Sequence, residues 1–131
     1  MEARDASTMA SYGIDFFKND GCFTSSPHSE GGFHADPSAY KHYGRMQAAL
    51  QASGRTIVHN IKGVPGGGIE ADHARSVANM RRCGDDIGGG FGSAVGAFHG
   101  CQPNQHLAGP GFWNDADGAL LPPSSWPSLD P

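Results

Sequence analysis

Along this chain, segments with helical spacing of apolar residues alternate with short apolar runs. Residues 2–12 predict a helix that Gly13 closes, and residues 14–19 (IDFFKN) predict a strand directly after it. Residues 38–53 place apolar side chains on one helical face, and residues 55–61 (RTIVHNI) follow Gly54 as a second β-branched strand. Such repetition is typical of part of a parallel barrel or an open parallel sheet.

The second half of the chain continues the pattern with a weaker hydrophobic signal. Residues 70–79 predict a third helix, and residues 80–87 (MRRCGDDI) are a strand candidate that is polar for a buried strand. Residues 88–92 form a glycine-rich loop, residues 93–99 predict a short helix, and residues 109–117 (GPGFWNDAD) close the pattern. Residues 24–37 read as a Ser/Pro/Gly/His loop.

The first strand delivers two charged residues to its carboxyl end. Lys18 and Asp20 lie two residues apart and therefore share one side of the strand. In parallel α/β folds this end opens onto the face where substrates bind, so Asp20 is a candidate catalytic carboxylate. A solvated Asp-Gly turn explains the same residues equally well.

Composition and charge exclude some partners. The 131 residues include 20 glycines and 9 prolines with 37% hydrophobic residues, which indicates a loop-rich chain. A net charge of −4 provides no basic field for nucleic acid or an anionic membrane, and no apolar run approaches the roughly 18 residues of a membrane span. The N-terminal MEARDASTM carries charges where a signal peptide needs its apolar centre, and the localisation stays unknown.

Cysteine and histidine give only a weak signal. The three cysteines are odd in number and far apart, without a CxxC spacing. The seven histidines show no HExxH motif, and loop or surface positions are their ordinary interpretation. We expect no metal and no other cofactor, and a small metal-binding module built from His99, Cys101 and His106 is the less favoured alternative.

Three segments together resemble a known enzyme family. IDFFKNDGC, NMRRCGDDI and GPGFWNDAD are similar, in order and spacing, to the family patterns GVDLLKxDxC, NxWRxxxDI and GPGxWNDPDM. These are consecutive active-site motifs of glycoside hydrolase family 27, which comprises α-galactosidases and α-N-acetylgalactosaminidases. The resemblance implies an α/β fold in which residues 1–118 form roughly strands four to seven of a (β/α)8 TIM barrel, followed by an irregular tail at 119–131.

The resemblance also assigns roles to five residues. Asp20 matches the catalytic nucleophile and Asp86 the general acid/base, whereas Lys18, Arg82 and Asp117 match residues that hydrogen-bond sugar hydroxyls. A retaining glycosidase needs two carboxyl groups about 5 to 5.5 Å apart, one ionised for attack and one protonated to release the leaving alcohol. The implied reaction is hydrolysis of terminal α-galactosides with retention of configuration. A non-catalytic remnant or a carbohydrate-binding relative is the alternative.

Several positions have competing interpretations or depart from the family. Residues 61–63 (IKG) replace the family's Cys-Glu-Trp, so a residue that helps to recognise the sugar's 2-position is absent and the choice between galactose and N-acetylgalactosamine stays open. Arg82, beside Arg81, could be one of a solvated surface pair. For Asp115 we expect a turn that bonds its own backbone.

The neighbouring positions leave three further points open. Adjacent residues of a strand face opposite sides, so Asp85 and Asp86 do not both face the pocket. Register with Asp20 and the following Ile87 favours Asp86. The resemblance places the partner of Cys22 outside this chain. Family members are often secreted or lysosomal, and the oligomeric state cannot be read.

Overall fold

A computed structural model describes residues 1–20, 37–62, 69–84, 86–88 and 90–117. For residues 37–40 and 69–72 it describes the backbone alone. Within these ranges, four strands form one parallel sheet in the order β1-β2-β3-β4. The strands are β1 (Phe16–Asn19), β2 (Val58–Ile61), β3 (Met80–Arg82) and β4 (Trp113–Asp115). The helices are α1 (Glu2–Ser11), α2 (Pro37–Ala52), α3 (Ile69–Val77) and α4 (Phe91–Cys101), and a 3₁₀ helix (Gln102–Leu107) follows α4. The predicted parallel α/β architecture is confirmed.

The sheet register separates side chains that pack on helices from side chains that form the site. Lys18 pairs with Asn60 and Arg82 with Asp115, so these four residues lie on one face of the sheet. The opposite face packs against the helices; Ile61, for example, joins Tyr43 of α2 and Val77 of α3 in a buried cluster. Because all four strands run in one direction, their carboxyl ends meet at a single edge.

Two apolar clusters hold the helices on the sheet. The first contains Ala6 of α1, Leu50 of α2 and Ile57, all buried, with Met9 and Phe17 packed against them. The second contains the buried residues Tyr43, Ile61, Ala74, Val77, Ala78 and Phe112. Full burial of the larger side chains among them, such as Leu50, Ile61 and Phe112, is worth about 1.5 to 3 kcal/mol each, and it helps to fix the strands relative to one another.

Gly13 and Gly54 end the first two helices as predicted. Both adopt the left-handed backbone conformation, with φ of 75° and 80°, which a residue with a Cβ rarely adopts. The chain can therefore reverse immediately into β1 and β2. Arg55, one residue after Gly54, donates hydrogen bonds to the Ile14 carbonyl and the Asp15 carboxylate and joins the two turns.

Strand β3 is shorter than the candidate segment 80–87 because helix α4 packs closely on the residues that follow Arg82. A Cβ at Gly84 would stand 2.5 Å from the Ala97 carbonyl oxygen, and one at Gly100 would stand 3.1 Å from the Cys83 carbonyl oxygen. Gly84 therefore requires glycine, whereas a side chain at Gly100 would need the backbone at Cys83 and Gly84 to shift by a few tenths of an ångström.

The close packing of α4 on the residues after β3 also brings two cysteines together. Cys83 and Cys101 form a disulfide with their Cα atoms 4.9 Å apart, which the spacing of the cysteines did not indicate. It joins the end of β3 to α4 across 18 residues, a separation for which loop-closure entropy predicts about 3 kcal/mol of stabilisation.

His59 is a core residue, so its interpretation as a loop or surface histidine was wrong. Its side chain is completely buried on β2, where its ring stacks on Phe17. Nδ1 lies 3.0 Å from Gln47 Oε1, and Nε2 lies 3.2 Å from Asn19 Nδ2. A neutral ring that carries its proton on Nδ1 satisfies both contacts, because the Asn19 amide donates and the Gln47 oxygen accepts.

In the part of the chain that the structure describes, no helix has the length and apolar character needed to span a membrane. The proposed boundary at residue 118, the tail at 119–131 and Cys22 all lie outside the described residues.

The buried state of His59 predicts a specific loss of stability in acid. Burial lowers the pKa of His59 from 6.5 to about 4, a shift that a hydrogen bond with the Val77 backbone partly opposes. In the unfolded chain the ring takes up a proton near pH 6.5, so between pH 6.5 and 4 protonation favours unfolding, by up to about 3 kcal/mol. Urea unfolding at pH 7 and pH 4.5 should show this loss in the wild type and a smaller loss in His59→Gln.

The matched control is His99→Gln, at an exposed position on α4. It should retain the wild-type dependence on pH. An equal loss of stability in His59→Gln and in the wild type would contradict the assignment.

Candidate active site

Asp117 is the residue on which the polar side chains at the carboxyl edge converge. Its Oδ1 lies 3.3 Å from Lys18 Nζ, and its Oδ2 lies 3.4 Å from a terminal nitrogen of Arg82. Oδ2 also accepts a hydrogen bond of 2.8 Å from the Ile87 amide. One carboxylate thus joins the end of β1, the end of β3 and the segment after β3, with residues as far as 99 positions apart.

The backbone of Asp117 is adapted to this position. It has φ of 64°, in the left-handed region, two residues after the end of β4. This conformation costs a non-glycine residue about 1 to 2 kcal/mol, although aspartate and asparagine tolerate it best. Such strain is characteristic of functional sites, and here it accompanies a carboxylate held by three donors.

Charged neighbours keep Asp117 ionised. Burial raises its pKa, but the hydrogen bonds from the Ile87 amide and from Lys18, together with the positive charges of Arg82 and Lys18, leave the pKa below its usual value. Asp117 is therefore an acceptor at neutral pH and carries no proton to donate.

Arg82 is buried, so its interpretation as part of a solvated surface pair was wrong. Its side chain is 5% exposed, and Arg81 on the helix-facing side of β3 is 1% exposed. Besides Asp117, the Arg82 guanidinium forms an ion pair with Asp86, whose carboxylate is 81% exposed. Arg82 thus brings Asp86 to the end of β3, next to Asp117.

Asp20 meets a lysine at the adjacent strand end. Its Oδ1 lies 3.3 Å from Nζ of Lys62, the residue immediately after β2. Asp20 is half exposed and Lys62 is 31% exposed, so both are accessible from the open edge of the sheet. Lys62 was not predicted as a site residue.

Asp115 belongs to the sheet, so the expectation of a local turn was wrong. It is the last residue of β4, and its Oδ2 accepts a hydrogen bond of 2.7 Å from Nδ2 of Asn60, which is buried on β2. Asn114 likewise donates to a distant carbonyl, that of Asn104. The bond between Asn60 and Asp115 crosses β3 on the same face of the sheet as the network of Lys18, Arg82, Asp86 and Asp117, called here the Asp117 cluster.

The described residues give little support to a metal site. Cys101 is bonded to Cys83, which removes the thiolate from the proposed set of His99, Cys101 and His106. Among the residues for which coordinates are described, no three His, Cys, Asp or Glu side chains are grouped closely enough to hold a metal ion.

The family model described as alpha galactosidase A matches residues 1–122 of the chain. The chain belongs to glycoside hydrolase family 27. It is 31% identical over 128 residues to the alpha-N-acetylgalactosaminidase of Gallus gallus, and 32% identical over 120 residues to a probable alpha-galactosidase D of Aspergillus fumigatus. These alignments include 90% and 88% of the chain, but only 29% and 18% of the relatives.

A solved family 27 structure supports the same placement. The chain superposes on the β-L-arabinopyranosidase of Geobacillus stearothermophilus with a TM-score of 0.69 and 25% identity, covering 88% of this chain and 25% of that enzyme. The family 27 resemblance and the partial TIM-barrel fold expected from the motifs are thereby confirmed. The chain spans less than a third of the length of the curated relatives named above.

The family 27 motifs located the cluster but missed part of it. Lys18, Arg82, Asp86 and Asp117 come together as one network, and Asp20 lies at the same sheet edge. One sequence pattern could have indicated Lys62 as a site residue. It directly follows the strand RTIVHNI, just as Asp20 directly follows the strand IDFFKN. The amide of Ile87 had no sequence signal because it depends on the course of the chain after β3.

The Asp117 cluster predicts a graded response to substitution. Asp117→Asn keeps the side-chain shape and the tolerated backbone but removes the charge, so the free energy of unfolding should fall by about 1 to 2 kcal/mol. Asp117→Ala should cost about 1 kcal/mol more because alanine resists a positive φ. Urea denaturation at pH 7 measures both changes.

Asp15→Asn serves as the control, because Asp15 is 75% exposed and pairs with Arg55 at the opposite edge of the sheet. It should change stability by less than about 1 kcal/mol. If Asp117→Asn were as stable as the wild type, the cluster would not organise this edge.

Proposed function

We propose that the protein containing this chain hydrolyses terminal α-galactosides with retention of configuration. Asp20 acts as the nucleophile and Asp86 as the general acid/base. Lys18, Arg82 and Asp117 hydrogen-bond the sugar hydroxyls. The observation that carries the proposal is the network around Asp117, which gathers predicted site residues from three strand ends at the open edge of a family 27 sheet.

The chemistry of these side chains suits a sugar. Lys18 and Arg82 donate hydrogen bonds, and ionised Asp117 accepts them. A hydroxyl group both donates and accepts, so alternating donors and acceptors can hold neighbouring hydroxyls in one orientation. Positioning of this kind aligns the anomeric carbon with the nucleophile.

The proposed reaction takes place in two steps. The Asp20 carboxylate attacks the anomeric carbon while Asp86 gives its proton to the glycosidic oxygen, so that a sugar ester forms and the alcohol leaves. Asp86 then takes a proton from water, which attacks the same carbon and restores the Asp20 carboxylate. The half-exposed Asp20 and the exposed Asp86 are open to substrate and water, respectively.

Hydrolysis of 4-nitrophenyl α-galactoside by the full-length protein tests the proposal. Asp20→Gly should abolish turnover, and Asp86→Gly should slow it by about 10² to 10⁴-fold because proton transfer is lost. Azide should then rescue each variant by substituting for the missing group. Rescue of Asp20→Gly should yield the β-galactosyl azide and rescue of Asp86→Gly the α-galactosyl azide, with products identified by proton NMR.

Asp15→Gly, five residues before Asp20 and at the opposite sheet edge, should leave turnover unchanged. Wild-type turnover in Asp20→Gly would overturn the nucleophile assignment. A full-length protein that binds galactose without hydrolysing any α-galactoside would instead support a carbohydrate-binding relative.

A further inference from the structure

We propose that Lys62 is a positioning residue that orients the Asp20 carboxylate and favours its ionised form. This inference rests on the proposed function of Asp20 and adds to it a residue that the motifs did not predict. The ammonium of Lys62 lies 3.3 Å from Asp20 Oδ1, within the range of a direct ion pair.

The sheet register places the two residues side by side. Asn19 and Ile61 are the last paired residues of β1 and β2. The amide of Lys62 donates a hydrogen bond of 3.2 Å to the Asn19 carbonyl, so the backbone pairing continues one residue further along β2. Asp20 and Lys62 are the next residues on β1 and β2, so their side chains project from the same side of adjacent strand ends. The contact is thus set by the backbone as well as by the side chains.

The charged residues at this edge include the network around Asp117 and the contact between Lys62 and Asp20. Lys18 contacts Asp117, which the Ile87 amide and Arg82 also hold, whereas Lys62 contacts Asp20. Other charged residues described at this edge of the sheet include Lys18, Arg82, Asp86, Asp115 and Asp117. Lys62 therefore supplies a cation in direct contact with the proposed nucleophile.

The exposure of the pair indicates a role in function rather than in stability. Lys62 is 31% and Asp20 is 50% exposed, and ion pairs this exposed contribute little to folding. A nearby cation nevertheless favours the carboxylate over the acid and restricts its rotamers, and attack requires an ionised and correctly aimed oxygen. Loss of Lys62 should therefore change the rate of attack more than the binding of the sugar.

Three variants of the full-length protein test the inference. Lys62→Met removes the charge but keeps the length, Lys62→Arg keeps the charge, and Lys41→Met is a control at an exposed position on α2. With 4-nitrophenyl α-galactoside, Lys62→Met should lower kcat about tenfold or more and change KM by less than about threefold. Lys62→Arg should recover most of kcat, and Lys41→Met should match the wild type.

A second measurement needs no catalytic activity. The carboxyl ¹³C resonance of Asp20, assigned by its loss in Asp20→Asn, should titrate at a higher pH in Lys62→Met than in the wild type. An unchanged titration, or an equal loss of kcat in Lys62→Met and Lys62→Arg, would overturn the positioning role. If the wild type hydrolyses no α-galactoside, the proposed function fails, and this titration alone decides whether Lys62 acts on Asp20.

Discussion

The rest of the site depends on the contacts that the Asp117 carboxylate makes with three donors. Its oxygens contact the Lys18 ammonium of β1, the Arg82 guanidinium of β3 and the Ile87 amide after β3. Because Arg82 is buried, its contact with Asp117 is stronger than it would be in water. Loss of this acceptor would leave Arg82, 5% exposed, without one of its anionic partners. A left-handed backbone at Asp117 is the conformational cost of aiming the carboxylate at all three donors.

The packing beneath the sheet explains how strand ends are held closely enough for such a cluster. On the helix-facing side, His59 links Asn19 of β1 to Gln47 of α2, and the apolar clusters fix α1, α2 and α3 against the strands. On the site-facing side, the bond between Asn60 and Asp115 connects β2 to β4 below the charged layer. The disulfide and the paired glycines place α4 against the end of β3, where Arg82 is located.

Sequence patterns predicted the helices and strands because these depend on local rules, whereas Arg82, Asp86 and Asp117 were indicated by the resemblance to family 27. Helix-ending glycines, β-branched runs and charged residues at strand ends are each read from a few neighbouring positions, as Gly13, Gly54 and Lys18 illustrate. The pairing of Cys83 with Cys101, the burial of His59 and the bond from Asn60 to Asp115 depend on how distant segments pack. No local pattern specifies such packing, so these features required the structure.

The covalent bond that we propose between Asp20 and the sugar can be detected by trapping the intermediate. A fluorinated α-galactosyl fluoride that forms the sugar ester quickly and loses it slowly would be incubated with the full-length protein, and the labelled peptide would be identified by mass spectrometry. We expect one sugar per chain, attached to Asp20. A label on Asp86 or Asp117, or fully active protein in which Asp20 stays unlabelled, would contradict the proposal.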